Sequence, residues 1–165
     1  MQTYPINAGT FYSDYPMTDR NFTAEAIGQV TLEDDEVQHL TELIRTHHGE
    51  TDVEALGLKE HYPTIYQKLE AAYRHTASLA EYKVDTLLGL YLDVWDTPTD
   101  LIDQCLAELG YEAPNRHFDQ LLSHLESLPL EDFAQFTTHH FALSFEDKPA
   151  DSYDVEIPQG IIKGV

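Results

Sequence analysis

Apolar and polar positions alternate along this chain with two periods, and the longest stretch of either runs from Tyr62 to Trp95. Tyr62, Ile65, Tyr66, Leu69, Tyr73, Ala77, Ala80, Val84, Leu87, Leu88, Tyr91 and Trp95 return every three or four residues. That spacing predicts a helix lying along a core. Pro63 suits its first position, where a missing amide costs nothing. Unbroken, such a helix would be roughly 50 Å long at about 1.5 Å per residue. A compact domain of this chain length covers less, so a break or kink is expected, with Gly89 the weakest point.

The period changes to two between Phe22 and Leu32. Phe22, Ala24, Ala26, Gly28, Val30 and Leu32 face one way and Thr23, Glu25, Ile27, Gln29 and Thr31 the other. This is a half-buried strand, thin on its apolar side, over which a helix could pack closely. The first twenty residues carry Tyr4, Phe11, Tyr12 and Tyr15 broken by Pro5, Gly9 and Pro16, which reads as irregular or briefly extended chain. Glu33-Asp34-Asp35-Glu36 precedes Val37, Leu40, Leu43 and Ile44, so the acids fall in a first helical turn, where the helix dipole favours them. Gly49 is a natural end for that helix. Thr51-Asp52-Val53-Glu54 has the form of a capping box opening one short turn that closes near Gly57.

Beyond Trp95, Thr97-Pro98-Thr99-Asp100 reads as the start of a helix ending at Gly110. Another begins near Pro114 or Asn115 and carries Phe118, Leu121, Leu122 and Leu125; a last short one follows Pro129 with Phe133 and Phe136. Phe141, Leu143 and Phe145, then Tyr153, Val155 and Ile157, alternate around Asp147–Asp151, as in a hairpin. The expected fold class is α+β: a mainly helical core on a long central helix, with a small antiparallel sheet from the N-terminal strand and a C-terminal hairpin. All 165 residues read as one domain, with a strand segment at about 22–32, a helical region at about 33–138 and the hairpin at about 140–158.

Composition changes the picture through charge. Thirty Asp and Glu oppose nine Lys and Arg, for a formal charge of −21, and protonating all nine His would leave −12. Such a chain repels nucleic acid and anionic membrane and attracts basic surfaces, although acidity also serves solubility alone. No apolar run approaches the length of a membrane span, and Met1–Tyr15 lacks the basic-then-apolar form of a secretory signal, so the cytoplasm is the expected compartment.

Candidate chemistry is sparse. The single Cys105 lies among Leu101, Ile102, Leu106 and Leu109 with no cation nearby in sequence, which marks a buried structural thiol. His47-His48 and His139-His140 fall at predicted helix C-termini, where interaction with the negative end of the dipole explains both pairs; they are the weak metal candidates. His117 and His124 are seven apart, two turns or roughly 10 Å, too far to share one metal ion. HExxH, GxSxG, GxGxxG and GxxxxGK are all absent. No catalytic residue, metal or cofactor is expected, and a non-enzymatic role is favoured.

One acidic run stands out. Between Lys83 and Arg116 there is no Lys or Arg, whereas Asp85, Asp93, Asp96, Asp100, Asp103, Glu108 and Glu112 all occur. Asp93, Asp96, Asp100 and Asp103 step by three, four and three, though Pro98 interrupts any continuous helix. Wrapped around a helix–helix corner, these seven would form a surface able to imitate nucleic-acid phosphates in a basic groove. The bland alternative is a solvated face.

Residues 22–74 carry a resemblance. Val30-Thr31-Leu32, Gly49-Glu50-Thr51-Asp52-Val53, Leu56, Leu58, Tyr62-Pro63, Ile65-Tyr66, Leu69 and Ala72-Tyr73 are similar to small uncharacterised acidic proteins encoded in mobile elements of gut bacteria. The positions concerned are mostly caps and core. The resemblance implies an accessory or host-interaction role and carries no activity, cofactor or site residue with it. Taken together, the expected function is that of an acidic, protein-binding accessory protein, whose partner would be a basic nucleic-acid-binding protein. The alternatives are a histidine-based metal-binding protein or small enzyme, and a helical module that forms a homodimer. Direct nucleic-acid or membrane binding is not expected.

Overall fold

A computed structural model describes residues 1–13, 21–92, 99–111, 118–141, 143–147 and 154–165. The fold is α+β. Among these residues two strands, β1 (Gln2–Tyr12) and β2 (Thr23–Leu32), pair in an antiparallel sheet. Seven helices follow: α1 (Asp34–Thr46), α2 (Leu58–His61), α3 (Pro63–Leu92), α4 (Thr99–Glu108), α5 (Phe118–Ser127), α6 (Leu130–His140) and α7 (Gln159–Ile162). No helix among them is long and apolar enough to cross a membrane. The chain divides into two compact units. One comprises Met1–Gly9, Glu25–Ser78 and Asp147–Val165, the other Thr10–Ala24 and Leu79–Glu146.

The alternation of β2 appears as expected, with Phe22, Ala24, Ala26, Val30 and Leu32 all buried. Gly28 belongs to the same face because α3 lies against it. A Cβ placed there would stand 2.1 Å from the Thr76 Oγ1. The small side chains on β2 are therefore what brings the helix close.

The N-terminal segment differs from its expected irregularity: it is the 11-residue strand that pairs with β2. Its inward positions run Tyr4, Ile6 and Ala8, then jump to Phe11 and Ser13. The parity shifts at Gly9, where φ is +104° and the amide turns to the Asn7 Oδ1. Cross-strand contacts record the same slip. Thr3 meets Thr31 through their hydroxyls, whereas Ser13 pairs with Phe22, so β1 holds one residue more than β2 between these points. That is a β-bulge, and it hides the strand's period.

The C-terminal hairpin is not clearly shown. Residues 143–147 and 154–158 carry no strand, and the intended turn lies mostly outside the described residues. The aromatic and aliphatic positions serve as anchors instead: Phe145 meets the Tyr82 ring edge-on at 5.4 Å, and Ile157 is buried. Of the expected break or kink in the central helix, no break falls within its described residues. α3 continues through Gly89 to Leu92, and five consecutive residues, Thr76–Ala80, are buried on every side of it. Thr, Ala and Ser there are small enough for neighbours to close around the helix.

Helix ends follow local chemistry. The Glu33 amide donates to the Glu36 carboxylate, closing the first turn of α1. At its other end the amides of His48 and Gly49 reach back to Arg45 and Ile44, with His48 itself in the left-handed region at φ 58°. The expected cap at Gly49 is thus shared with a histidine. Gly110 closes α4 in the same way, at φ 93°. The remaining start signals, Thr97-Pro98 and Pro114-Asn115, lie outside the described residues. In the second unit Phe22, Leu87, Cys105, Leu106, Leu121, Leu122, Leu125 and Phe133 form one buried cluster.

Candidate binding cleft

A cleft of about 840 Å³ lies within the first unit. One wall is the turn before α2. Glu50 accepts the amides of Thr51 and Asp52 on one oxygen, and Asp52 accepts the Glu54 amide, which fixes a tight coil from carboxylates bonded to their own backbone. The floor includes Tyr66 and Glu70 of α3. The opposite wall is Asp154–Ile157 with Gln159 and Ile162, from the end of the chain.

This C-terminal segment is held by packing. Ile157 and Ile161 are 1% and 2% exposed, α7 packs on α1, and Gly160 sits so close to the Tyr4 ring that a Cβ would lie 2.7 Å from it. Beneath it Tyr73 is buried and hydrogen-bonds the backbone of Glu156. Burial, reinforced by the Glu156 charge, pushes the Tyr73 phenol up to about 12.

Six carboxylates line the cleft: Glu50, Asp52, Glu54, Glu70, Asp154 and Glu156. Among the described residues no Lys or Arg does. Arg74 reaches Glu70 at 3.0 Å one turn along α3, a half-exposed pair that offsets one of the six. Between the acids stand Val53, Tyr66, Val155, Ile157 and Ile162. The site is acidic, partly apolar and concave. It suits a cationic side chain with an aliphatic stem better than a bare metal ion. Among the described residues no three His, Cys, Asp or Glu groups converge to hold one.

A smaller hollow of about 440 Å³ is lined by Glu33, Asp35, Glu36, His39, His61, Tyr62 and Lys68 among others. Its centre is already occupied by protein: Lys68 donates to Glu36 at 2.6 Å. Burial opposes the Glu36 charge, but the Lys68 hydrogen bond and the Glu33 amide outweigh it and hold the carboxyl below its usual value.

Of the seven acids singled out from sequence, four lie among the described residues. Asp85 is exposed on α3; Asp100 and Asp103 are exposed one turn apart on α4. Glu108 lies about 140° around α4 from Asp103 and meets the His140 Nε2 at 3.3 Å. Asp93, Asp96 and Glu112 lie outside the described residues. His47 and His48 end α1, while His139 and His140 end α6 in the other unit. The His140 ring stacks against Phe136 at 4.3 Å, so it is fixed by packing. Cys105 is fully buried, and its thiol is pushed up by burial and then by Glu108.

Sequence reasoning missed the cleft because its walls are about a hundred residues apart. Glu50, Asp52 and Glu54 have a local capping explanation, and Asp154 and Glu156 sit in what reads as a strand. Comparison with protein-family models, curated proteins and solved structures finds no match for the chain.

Proposed function

We propose that this protein is a non-enzymatic accessory protein that binds a basic segment of a partner protein in the cleft between the Glu50–Glu54 turn and the C-terminal segment. The observation that carries this reading is the lining: among the described residues, six carboxylates without a Lys or Arg, interleaved with five apolar side chains. Lysine and arginine present that combination in reverse, an apolar stem and a cationic head. The net charge of −21 would steer such a partner from a distance. A protein whose basic surface holds nucleic acid is the natural candidate, and Asp85, Asp100 and Asp103 add acid outside the cleft. An accessory role agrees with the resemblance of residues 22–74 to mobile-element proteins.

Titration calorimetry with an octalysine peptide tests this directly. Binding should weaken steeply with salt, and Glu54→Gln with Glu156→Gln should weaken it about tenfold, the scale of two lost charge contacts. Absence of any salt-sensitive binding, to the peptide or to basic nucleic-acid-binding proteins in a pull-down, would sink the proposal. A larger loss from Asp100→Asn with Asp103→Asn would move the site to α4.

A further inference from the structure

The C-terminal segment Asp154–Val165 has an unusual set of attachments. Its side chains make no hydrogen bond or ion pair among the described residues. Its hold consists of Ile157, Pro158 and Ile161 in the core, the close seat of Gly160 on Tyr4, and the Glu156 backbone on Tyr73. It also carries Asp154 and Glu156 to the same cleft as Glu50, Asp52, Glu54 and Glu70. Packing draws this segment in and like charge pushes it away.

We infer that Asp154–Val165 is a strap that docks and undocks as a unit, and that its docking and the filling of the cleft by a cationic ligand strengthen each other. The coupling rests on the basic-segment reading above; the opposition between packing and charge does not. Six of the thirteen lining residues belong to the strap, so undocking dismantles the site. A cation in the cleft removes the repulsion that opposes docking. Linkage makes the effect reciprocal: the factor by which a saturating ligand favours docking is the factor by which docking raises affinity.

Salt separates the two halves of the inference. Screening weakens ligand binding, yet in the ligand-free protein it relieves repulsion and favours the docked strap. Amide hydrogen exchange on the full chain reads both. Raising salt should slow exchange in 154–165 without ligand, and saturating octalysine at low salt should slow it about five- to tenfold, an ordinary coupling factor. Asp154→Asn with Glu156→Gln should do two opposite things, protecting the strap and weakening the peptide. Gly160→Leu, which cannot seat against Tyr4, should lose strap protection and peptide affinity while far-UV dichroism is kept. Should octalysine fail to bind, the basic-segment reading and the coupling fall, and the salt arm alone judges the strap. Strap exchange that ignores salt and the double substitution, or a Gly160→Leu protein that binds peptide as the wild type does, overturns the inference.

Discussion

The two halves of α3 solve the same packing problem differently. Residues 63–78 belong to a unit built on a sheet, where approach is close because the facing surface is nearly bare: Ala26 and Gly28 on β2, Thr76 and Ala77 on the helix. Residues 79–92 belong to a unit whose core is made of large side chains, with Leu87 among Leu106, Leu121, Leu122, Leu125 and Phe133. Their cations differ as well. In the first half Lys68 lies on a carboxylate, Glu36. In the second, Lys83 is 7% exposed, donates to the carbonyls of Glu126 and Leu128 at 2.8 Å each, and stands 5.7 Å from the Phe133 ring centre. A bare interface leaves no tolerance for added atoms, whereas a bulky one gains stability from area.

The sharpest way to break that comparison is Gly28→Ala. The new methyl would fall 2.1 Å from the Thr76 Oγ1 and 3.1 Å from its Cβ, so the strand and helix must separate. Denaturant unfolding should show a loss of at least about 2 kcal/mol, toward the upper range for overpacking. Adding Thr76→Ala removes the nearest two atoms and should restore part of it. Equal stability of Gly28→Ala and wild type would mean that contact with α3 does not explain the small residues of β2.

Buried Glu36 and Lys83 both predict that wild type gains as pH rises, but in separate pH windows. The Glu36 pKa is lower folded than unfolded, so its contribution is fully present above the unfolded value near 4.5 and is lost as pH falls through the folded value. Glu36→Ala also removes the bond that closes the first turn of α1 and should cost about 0.5–2 kcal/mol at neutral pH. Its deficit against wild type should shrink on acidification. Lys83 is pulled down mainly by burial, with Glu126 opposing. Its charged form is penalised in the fold, so wild type should gain on Lys83→Met as pH rises from the folded pKa to the unfolded value near 10.5. Profiles that change in the same pH window for both variants would remove the distinction between the two ions.

This contrast also explains which parts of the fold could be read from sequence. β2 was legible because every inward residue keeps one parity, and α3 because its stripe never skips. β1 was not: the extra residue at Gly9 moves the inward set from Tyr4, Ile6 and Ala8 to Phe11 and Ser13, erasing a period of two. The C-terminal residues misled for the converse reason. Their alternation is real, but Phe145 and Ile157 anchor to other elements, and Pro158 opens a single helical turn. Asp100 and Asp103 stand out in sequence because a stretch without Lys or Arg is visible in one dimension, and both are exposed on α4. The cleft needs Glu50–Glu54 and Asp154–Glu156 side by side, and no local pattern brings those together.

A smaller effect tests the end of α1. His48 holds the left-handed position that glycine ordinarily fills, at φ 58°, and is exposed, so little packing is lost with its ring. His48→Gly should raise stability by about 1 kcal/mol, the cost of that conformation for a residue with a Cβ. A loss of stability instead would show that the imidazole makes a compensating interaction with the helix end.

The smallest effect repeats the first substitution in the other half of α3. Gly89 lies inside the helix, its φ is not left-handed, and a Cβ built there meets nothing within 4 Å. Gly89→Ala should therefore stabilise by about 0.5–1 kcal/mol, through the lower entropy of the unfolded chain and better helix propensity. The same methyl that forces β2 and α3 apart at position 28 would be accommodated at 89. Opposite signs for one chemical change would tie the difference between the two halves to the space beside the backbone. Destabilisation by Gly89→Ala would mean that the helix needs its glycine there, as a bend or as a place of close approach.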